Sequence, residues 1–348
     1  MTDQRQWASQ RHGATRIGDV LITSYNVELR DRDGFLGDKA SVGAFLNMVD
    51  ERRDELLAAG PCEFDHEDDL TPEHLDAILV TGTERQKHIA QEVIAAYAQR
   101  LTAVLKAHLE LDAWQDIGAI IVGGGFEHTR AGKAAVVLAQ ELLSQSRNAP
   151  PLQLLRHHPD EAGLIGCIHL VPEATENEAG AILACDIGGT NFRCGIVQLP
   201  SGEDRSVAKV RASDKWRHGG RDQRREEALD HLVAMLCNLA GHARQRAIRL
   251  MPFVGVACPG IIQSDGRIER GAQNLPGNWE DARFNLPKML EERLSGMADL
   301  CSTEVRMHND AVVQGLSEEL NVRDKDEWAI VTIGTGFGNA TFRREPIS

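Results

Sequence analysis

The stretch Ala181–Leu199, AILACDIGGTNFRCGIVQL, governs how the remainder of the chain is read. Two short apolar runs, Ala181–Cys185 and Cys194–Leu199, flank Asp186-Ile187-Gly188-Gly189-Thr190-Asn191, and the paired glycines supply the free φ angles that a tight turn between strands needs. The pattern predicts a β-hairpin. Its tip would offer backbone N–H groups and the Thr190 hydroxyl to an anionic oxygen with no bulky side chain in the way. The Asp186 carboxylate, at the end of the first strand, would be repelled by phosphate but could hold Mg²⁺ between itself and the phosphate. These residues therefore point to a cradle for a Mg-nucleotide phosphate. An ordinary Gly-Gly hairpin with a turn aspartate fits the same stretch, so support has to come from elsewhere in the chain.

The chain has 348 residues, 42% hydrophobic and 26% charged, long enough for two lobes. Its 38 basic and 52 acidic residues give a net charge of −14, which repels polyanions and argues against nucleic acid or an anionic membrane surface as partner. Seven cysteines without a CxxC pair (62, 167, 185, 194, 237, 258 and 301) read as small buried hydrophobes in a reducing compartment. The polar opening MTDQRQWASQRHGATRIGD and the lack of any run near ~18 apolar residues predict a cytoplasmic protein.

Read in order, Val20–Tyr25 is a predicted strand, Asp31–Ser41 a turn-rich segment and Val42–Ala59 helical. The acidic CEFDHEDDL around His66 reads as a solvated connection, followed by a helix start at Thr71-Pro72-Glu73. From Gln86 to Leu109, Ile89, Val93, Tyr97, Leu101, Val104 and Leu105 recur at helical spacing. The strand Ile117–Val122 ends in Gly123-Gly124-Gly125 before a helix over Ala131–Ser144, an arrangement suited to nucleotide binding but also common for steric reasons. His157-His158-Asp160 resembles a metal or acid/base cluster, with loop-ordering hydrogen bonds the preferred reading. Glu173–Gly180 reads as a linker.

Beyond the central hairpin, the pattern predicts a strand over Val207–Val210, a basic loop over Asp214–Arg225 and a helix over Glu226–Ala243. A strand over Phe253–Val256, a turn at Ser264-Asp265-Gly266 and a helix near Pro287 follow. Val305–Met307 is a short strand, and His308-Asn309-Asp310 opens a helix as a cap sequence would. Trp328–Ile333 turns at Gly334-Thr335-Gly336 into a second glycine-rich hairpin reaching Phe342.

Taken together, DIGGTNFR (186–193), CPG (258–260), NLPGNW (274–279), HND (308–310) and TIGTGFG (332–338) resemble, in order and spacing, the amino-terminal half of ROK-family sugar kinases. IVGGGF (121–126) and DEAGLIG (160–166) resemble that family's carboxyl-terminal half yet lie upstream. The resemblance, over about residues 40–342, implies an α/β, two-lobed actin-like (ribonuclease H-like) sugar-kinase ATPase fold in circularly permuted order. It implies one lobe of residues 1–165 plus 302–348 and a smaller lobe of 166–301, joined at 173–180, with Val20–Tyr25 extending the sheet of Trp328–Ile333.

By the same resemblance, Asp310 would be the general base. Asn309, with Asn274 and Gly260, would position a sugar or polyol. Asp186, Gly188, Gly189, Thr190, Asn191, Gly334, Thr335, Gly336, Gly124 and Gly125 would hold Mg-ATP, with Asp186 serving Mg²⁺. The expected reaction is ATP-dependent phosphorylation of a sugar-like hydroxyl. The alternative is a non-catalytic sugar or nucleotide sensor, and an actin-like structural ATPase is disfavoured by NLPGNW and HND. A homodimer is open. The family's GExGH and CxCGxxGCxE segments are absent near Tyr25–Leu46, so no zinc site is expected, and Asn339 replaces a glycine. Asp38 or Lys39 could supply replacement sugar contacts.

Overall fold

The computed structural model describes residues 11–61, 71–172, 180–199, 208–220, 223–297, 300 and 302–345. Cys62, Cys301, the acidic segment around His66 and the expected linker over 173–179 lie outside them. In chain order the strands are β1 (Arg16–Ile17), β2 (Val20–Tyr25), β3 (Arg30–Asp31), β4 (Gly34–Phe35), β5 (Ile120–Gly123), β6 (Leu152–Leu154) and β7 (Ala181–Ile187). They continue as β8 (Asn191–Gln198), β9 (Lys209–Arg217), β10 (Leu250–Cys258), β11 (Glu304–Asn309), β12 (Glu327–Ile333) and β13 (Phe337–Arg344). The helices are α1 (Val42–Asp50), α2 (Arg53–Ala58), α3 (Pro72–Thr81), α4 (Glu84–Leu109), α5 (Arg130–Leu143), α6 (Pro159–Gly166), α7 (Arg225–Gln245), α8 (Leu286–Leu294) and α9 (Asp310–Ser317).

The chain divides into two units, residues 1–22, 160–321 and 344–348 in one and residues 23–159 and 322–343 in the other. The first is built on a five-stranded sheet of order β11-β10-β7-β8-β9. At its centre β7 is antiparallel to β8 and parallel to β10, and β10 is parallel to β11. All seven residues of β7 are buried, which explains why its sequence is a continuous apolar run with one exception, Asp186. Leu229, Leu232, Leu236 and Leu239 of α7, with Leu290 and Leu294 of α8, pack on this sheet around Trp279 and Phe192.

The second sheet has the order β1-β2-β13-β12-β5-β6. Here β12 is antiparallel to β13 and parallel to β5, which is parallel to β6, repeating the pattern around β7. Val20–Tyr25 thus shares a sheet with Glu327–Ile333, as expected, with β13 between them. The core of this unit gathers around α4. Its apolar stripe is buried, and it starts at a capping box in which Gln86 N donates to Thr83 Oγ1 (3.3 Å) and Thr83 N to Gln86 Oε1 (2.9 Å). Phe45, Tyr97 and Phe126 meet with ring centroids 4.7–5.3 Å apart, and the Tyr97 hydroxyl donates to Ala40 O at 2.6 Å. The fold is of the α/β class expected, with the same strand order repeated in the two sheets.

Several expected boundaries move. The helix read over Val42–Ala59 is two helices, broken at Glu51-Arg52. The basic loop read from Asp214 is strand as far as Arg217, because Ala212 and Trp216 point one face of β9 at the core while the charged residues face solvent. The resemblance groups residues 302–348 with 1–165, but β11 pairs with β10 in register from Phe253↔Glu304 to Cys258↔Asn309. That pairing puts Asp310 in the unit that contains Asp186.

Candidate active site

Three parallel strands, β7, β10 and β11, end side by side, with Asp186 opposite Ala257 and Cys258 opposite Asn309. Their carboxyl ends are where an α/β sheet leaves room for a ligand. The first hairpin forms as read, with Ile187 opposite Phe192 and Gly188 N donating to Asn191 O at 2.9 Å.

Asp186 is 4% exposed, and burial raises its pKa. Arg193 offsets this, its Nη1 standing 3.5 Å from Asp186 Oδ2 while its Nε donates to Asp160 Oδ1 at 2.5 Å. Lys215 Nζ donates to the two Asp160 oxygens at 2.9 and 3.1 Å. The backbone of α6 lies close behind: a Cβ on Gly163 would fall 2.6 Å from Asp186 Cγ, so only glycine leaves the carboxylate its place.

Asn309, not Asp310, caps α9. Its Oδ1 accepts from Ala311 N and Val312 N at 3.0 and 3.2 Å, and its Nδ2 donates to Gly260 O at 3.0 Å. Asp310 is the first helical residue, and its Oδ1 accepts from Ala311 N at 2.9 Å. Asp310 as a residue is half-buried. Burial of its carboxyl, reinforced by the charge of Asp186, pushes its pKa up to about 7. Behind Asn309, His308 Nδ1 accepts from Asn309 N at 2.7 Å, and its Nε2 donates to Ala14 O at 2.9 Å. Gly13 N donates to Met307 O, so residues 12–14 run along the outer edge of β11.

Of the expected substrate residues, Asn309 and Gly260 meet directly, whereas Asn274 sits exposed in the loop before Trp279. Gly188, Gly189, Thr190 and Asn191 lie at the first hairpin's tip and opening, in the unit of Asp186 and Asp310. The other unit contains Gly334, Thr335, Gly336, Gly124 and Gly125. There Gly334 N donates to Gly336 O at 3.0 Å, Gly334 O accepts from Val42 N at 2.9 Å, and Gly124 turns through φ +93 against the Ile333 backbone.

Lys39 is engaged by Asp31 and Asp33, and Asn339 exchanges two hydrogen bonds with the Val27 backbone, both at 3.0 Å. That segment falls in the region where the family's sugar motif would lie. Cys167, Cys185, Cys194 and Cys258 are buried free thiols. His158 packs on His128 with ring centroids 4.8 Å apart. Sequence reasoning missed the contacts of Asp160, Arg193, Lys215 and Gly163, although each stands in a stretch it singled out: Arg193 in DIGGTNFR, Asp160 and Gly163 in DEAGLIG, and Lys215 in the basic loop.

The Asp186 site suits Mg²⁺, which takes one or two carboxylates and leaves its remaining positions to water and phosphate. The carboxyl groups of Asp186 and Asp310 supply hard oxygen donors, and the charge of one acts on the other. Among the described residues no group of three or more His, Cys, Asp or Glu is placed to enclose a metal ion, so any cation here would keep open positions. No helix among the described residues is long and apolar enough to cross a membrane.

The ROK family profile matches residues 182–344. Among solved structures, a candidate N-acetylmannosamine kinase from Listeria monocytogenes is similar at 23% identity over 47% of each chain, with a TM-score of 0.35. The hexokinase of Schistosoma mansoni in complex with glucose is similar at 17% identity over 49% of this chain and 42% of that one, with a TM-score of 0.34. A ROK family transcriptional regulator, described as a homologue of the E. coli MLC protein, is similar at 15% identity over 48% of this chain and 38% of that one, with a TM-score of 0.36. The chain aligns with about half, or less, of the length of these structures.

Proposed function

We propose that this protein is a ROK-type kinase that transfers the γ-phosphoryl group of ATP to a hydroxyl of a sugar or polyol. The observation that carries the reading is Asp310. This half-buried residue follows the end of β11, its carboxyl feels the charge of Asp186 at the end of β7, and it opens a helix whose cap, Asn309, is tied to Gly260 O. In this reading Asp310 accepts the substrate hydroxyl's proton, that oxygen bonds to the γ-phosphorus, and the bond to the β–γ bridging oxygen breaks to release ADP. Asn309 and Gly260 fix the loop that faces the sugar. Asp186, kept in place by Arg193 and Gly163, takes Mg²⁺, which when bound neutralises charge on the phosphate oxygens. Gly188–Asn191 hold phosphate oxygens, and the resemblance gives phosphate to Gly334–Gly336 and adenosine to Gly124 and Gly125.

The same reading takes the chain as a circular permutation. The two sheets support it. Around β7 the five strands run in chain order, whereas the identical pattern around β12 needs β12 and β13 to be counted before β2, β5 and β6. A non-catalytic sensor is the second reading, favoured by Asn339 and Val27 closing on each other where the family's sugar motif would lie.

A coupled ADP-release screen over hexoses, amino sugars and polyols separates the two. The kinase reading expects at least one of these compounds to stimulate ADP release, and Asp310→Asn to abolish the stimulation. Binding of a sugar or nucleotide with no stimulated release would establish the sensor.

A further inference from the structure

The first hairpin's tip contains a Gly-Gly peptide, which has little steric preference between its two flipped orientations. Something outside the hairpin has to choose. In the structure the choice is made from the end of β9: the Gly188 carbonyl accepts a hydrogen bond from His218 Nε2 at 2.8 Å. The Thr190 carbonyl accepts from His218 N and Gly219 N, both at 3.0 Å. A carbonyl can only accept, so His218 must carry a proton on Nε2. The residue is 3% exposed, and its ring packs edge-on against Phe192, with centroids 4.6 Å apart. Trp216, two residues back on β9, lies 5.5 Å away.

In a trans peptide the C=O and the following N–H point to opposite sides, and no cis peptide is present among the described residues. Holding Gly188 O toward His218 therefore turns the Gly189 N–H to the other face of the tip. We propose that His218 is a positioning residue for this hairpin: it locks the Gly188–Gly189 peptide so that the Gly189 N–H is already aimed at an anionic oxygen before the ligand arrives. The inference rests on the phosphate-binding reading of the tip. Its advantage is preorganisation, because a donor fixed in advance needs no reorientation when the phosphate binds.

The test compares wild type, His218→Phe and His218→Gln by calorimetric titration with Mg-ADP. Phenylalanine keeps the ring packing and removes the donor, and the glutamine amide nitrogen reaches the place of Nε2. The expected result is a Kd raised about tenfold in His218→Phe and returned to within about threefold of wild type in His218→Gln. In turnover assays the KM for ATP should rise with kcat little changed. In the wild type, the Gly189 amide proton resonance should move downfield on adding Mg-ADP, a measurement that stands even if His218→Phe does not fold. Wild-type affinity in folded His218→Phe, equal weakness in both variants, or an unmoved Gly189 amide would overturn the role of His218 while leaving the kinase reading intact. A wild type that binds no Mg-ADP would overturn the phosphate reading and this inference with it.

Discussion

At the scale of single residues, the chemistry depends on carboxylates held where water would not put them. Asp310 binds its proton more tightly in the folded state than the ordinary carboxyl value of 3.8, with a pKa near 7. The sign of the linkage follows: the native state holds the extra proton between those values, so this group's contribution to stability is full below about pH 3.8 and lost as pH rises through about 7. Asp310→Asn should therefore melt at a higher temperature than wild type at pH 8, by about 1–3 kcal/mol of stability, with the difference vanishing near pH 4. Thermal unfolding at the two pH values checks this. In the wild type, kcat/KM should fall about tenfold per pH unit below about 7, as expected of a base that must be ionised. Gly163→Ala brings a methyl group to 2.6 Å from Asp186 Cγ. It should cost about 1–3 kcal/mol and weaken Mg-ADP binding by about tenfold or more, measured by denaturant titration and calorimetry.

At the scale of elements, the segment over residues 12–14 along β11 is tied through His308 to the helix that carries Asp310. Burial holds the His308 pKa down to about 4, so the ring is neutral at physiological pH and can accept from Asn309 N while donating to Ala14 O. His308→Leu removes both bonds and should cost about 2–4 kcal/mol, with kcat falling more than the KM for ATP changes. Equal effects on both parameters would mean that the bond serves stability alone. Most elements were legible because their apolar positions repeat at one period: the α4 stripe, the β7 run and the two Gly-turn hairpins. What escaped was set by contacts between distant segments. The extension of β9 through Asp214–Arg217 depends on pairing with β8 and reads locally as a basic loop. Arg193 stands directly opposite Asp186 across the first hairpin, a pairing the predicted turn implies, whereas its bond to Asp160, 33 positions away, has no signal in the spacing. The His308-Asn309-Asp310 sequence signals a helix start without telling which residue caps it; the structure gives that place to Asn309 and leaves Asp310 as the first helical residue.

At the scale of the whole molecule, two five-strand patterns of the same order account for both cores, one of them assembled from the two ends of the chain. If permutation is the cause, a chain re-ordered to run from Gly180 to Ser348 and then from Met1 to Pro172 should unfold cooperatively within about 5 °C of the natural order, since a changed loop costs only about 1 kcal/mol. Circular dichroism and calorimetry on the re-ordered chain check this, and loss of a cooperative transition would contradict it.

The most direct measurement is ³¹P NMR of ATP incubated with the protein, Mg²⁺ and the compound that stimulates ADP release most, for wild type and Asp310→Asn. The account predicts a new phosphomonoester resonance growing in step with ADP in the wild type, slowed by about 10³-fold or more in the variant. ADP accompanied only by inorganic phosphate, or the same phosphomonoester formed equally fast by Asp310→Asn, would contradict it.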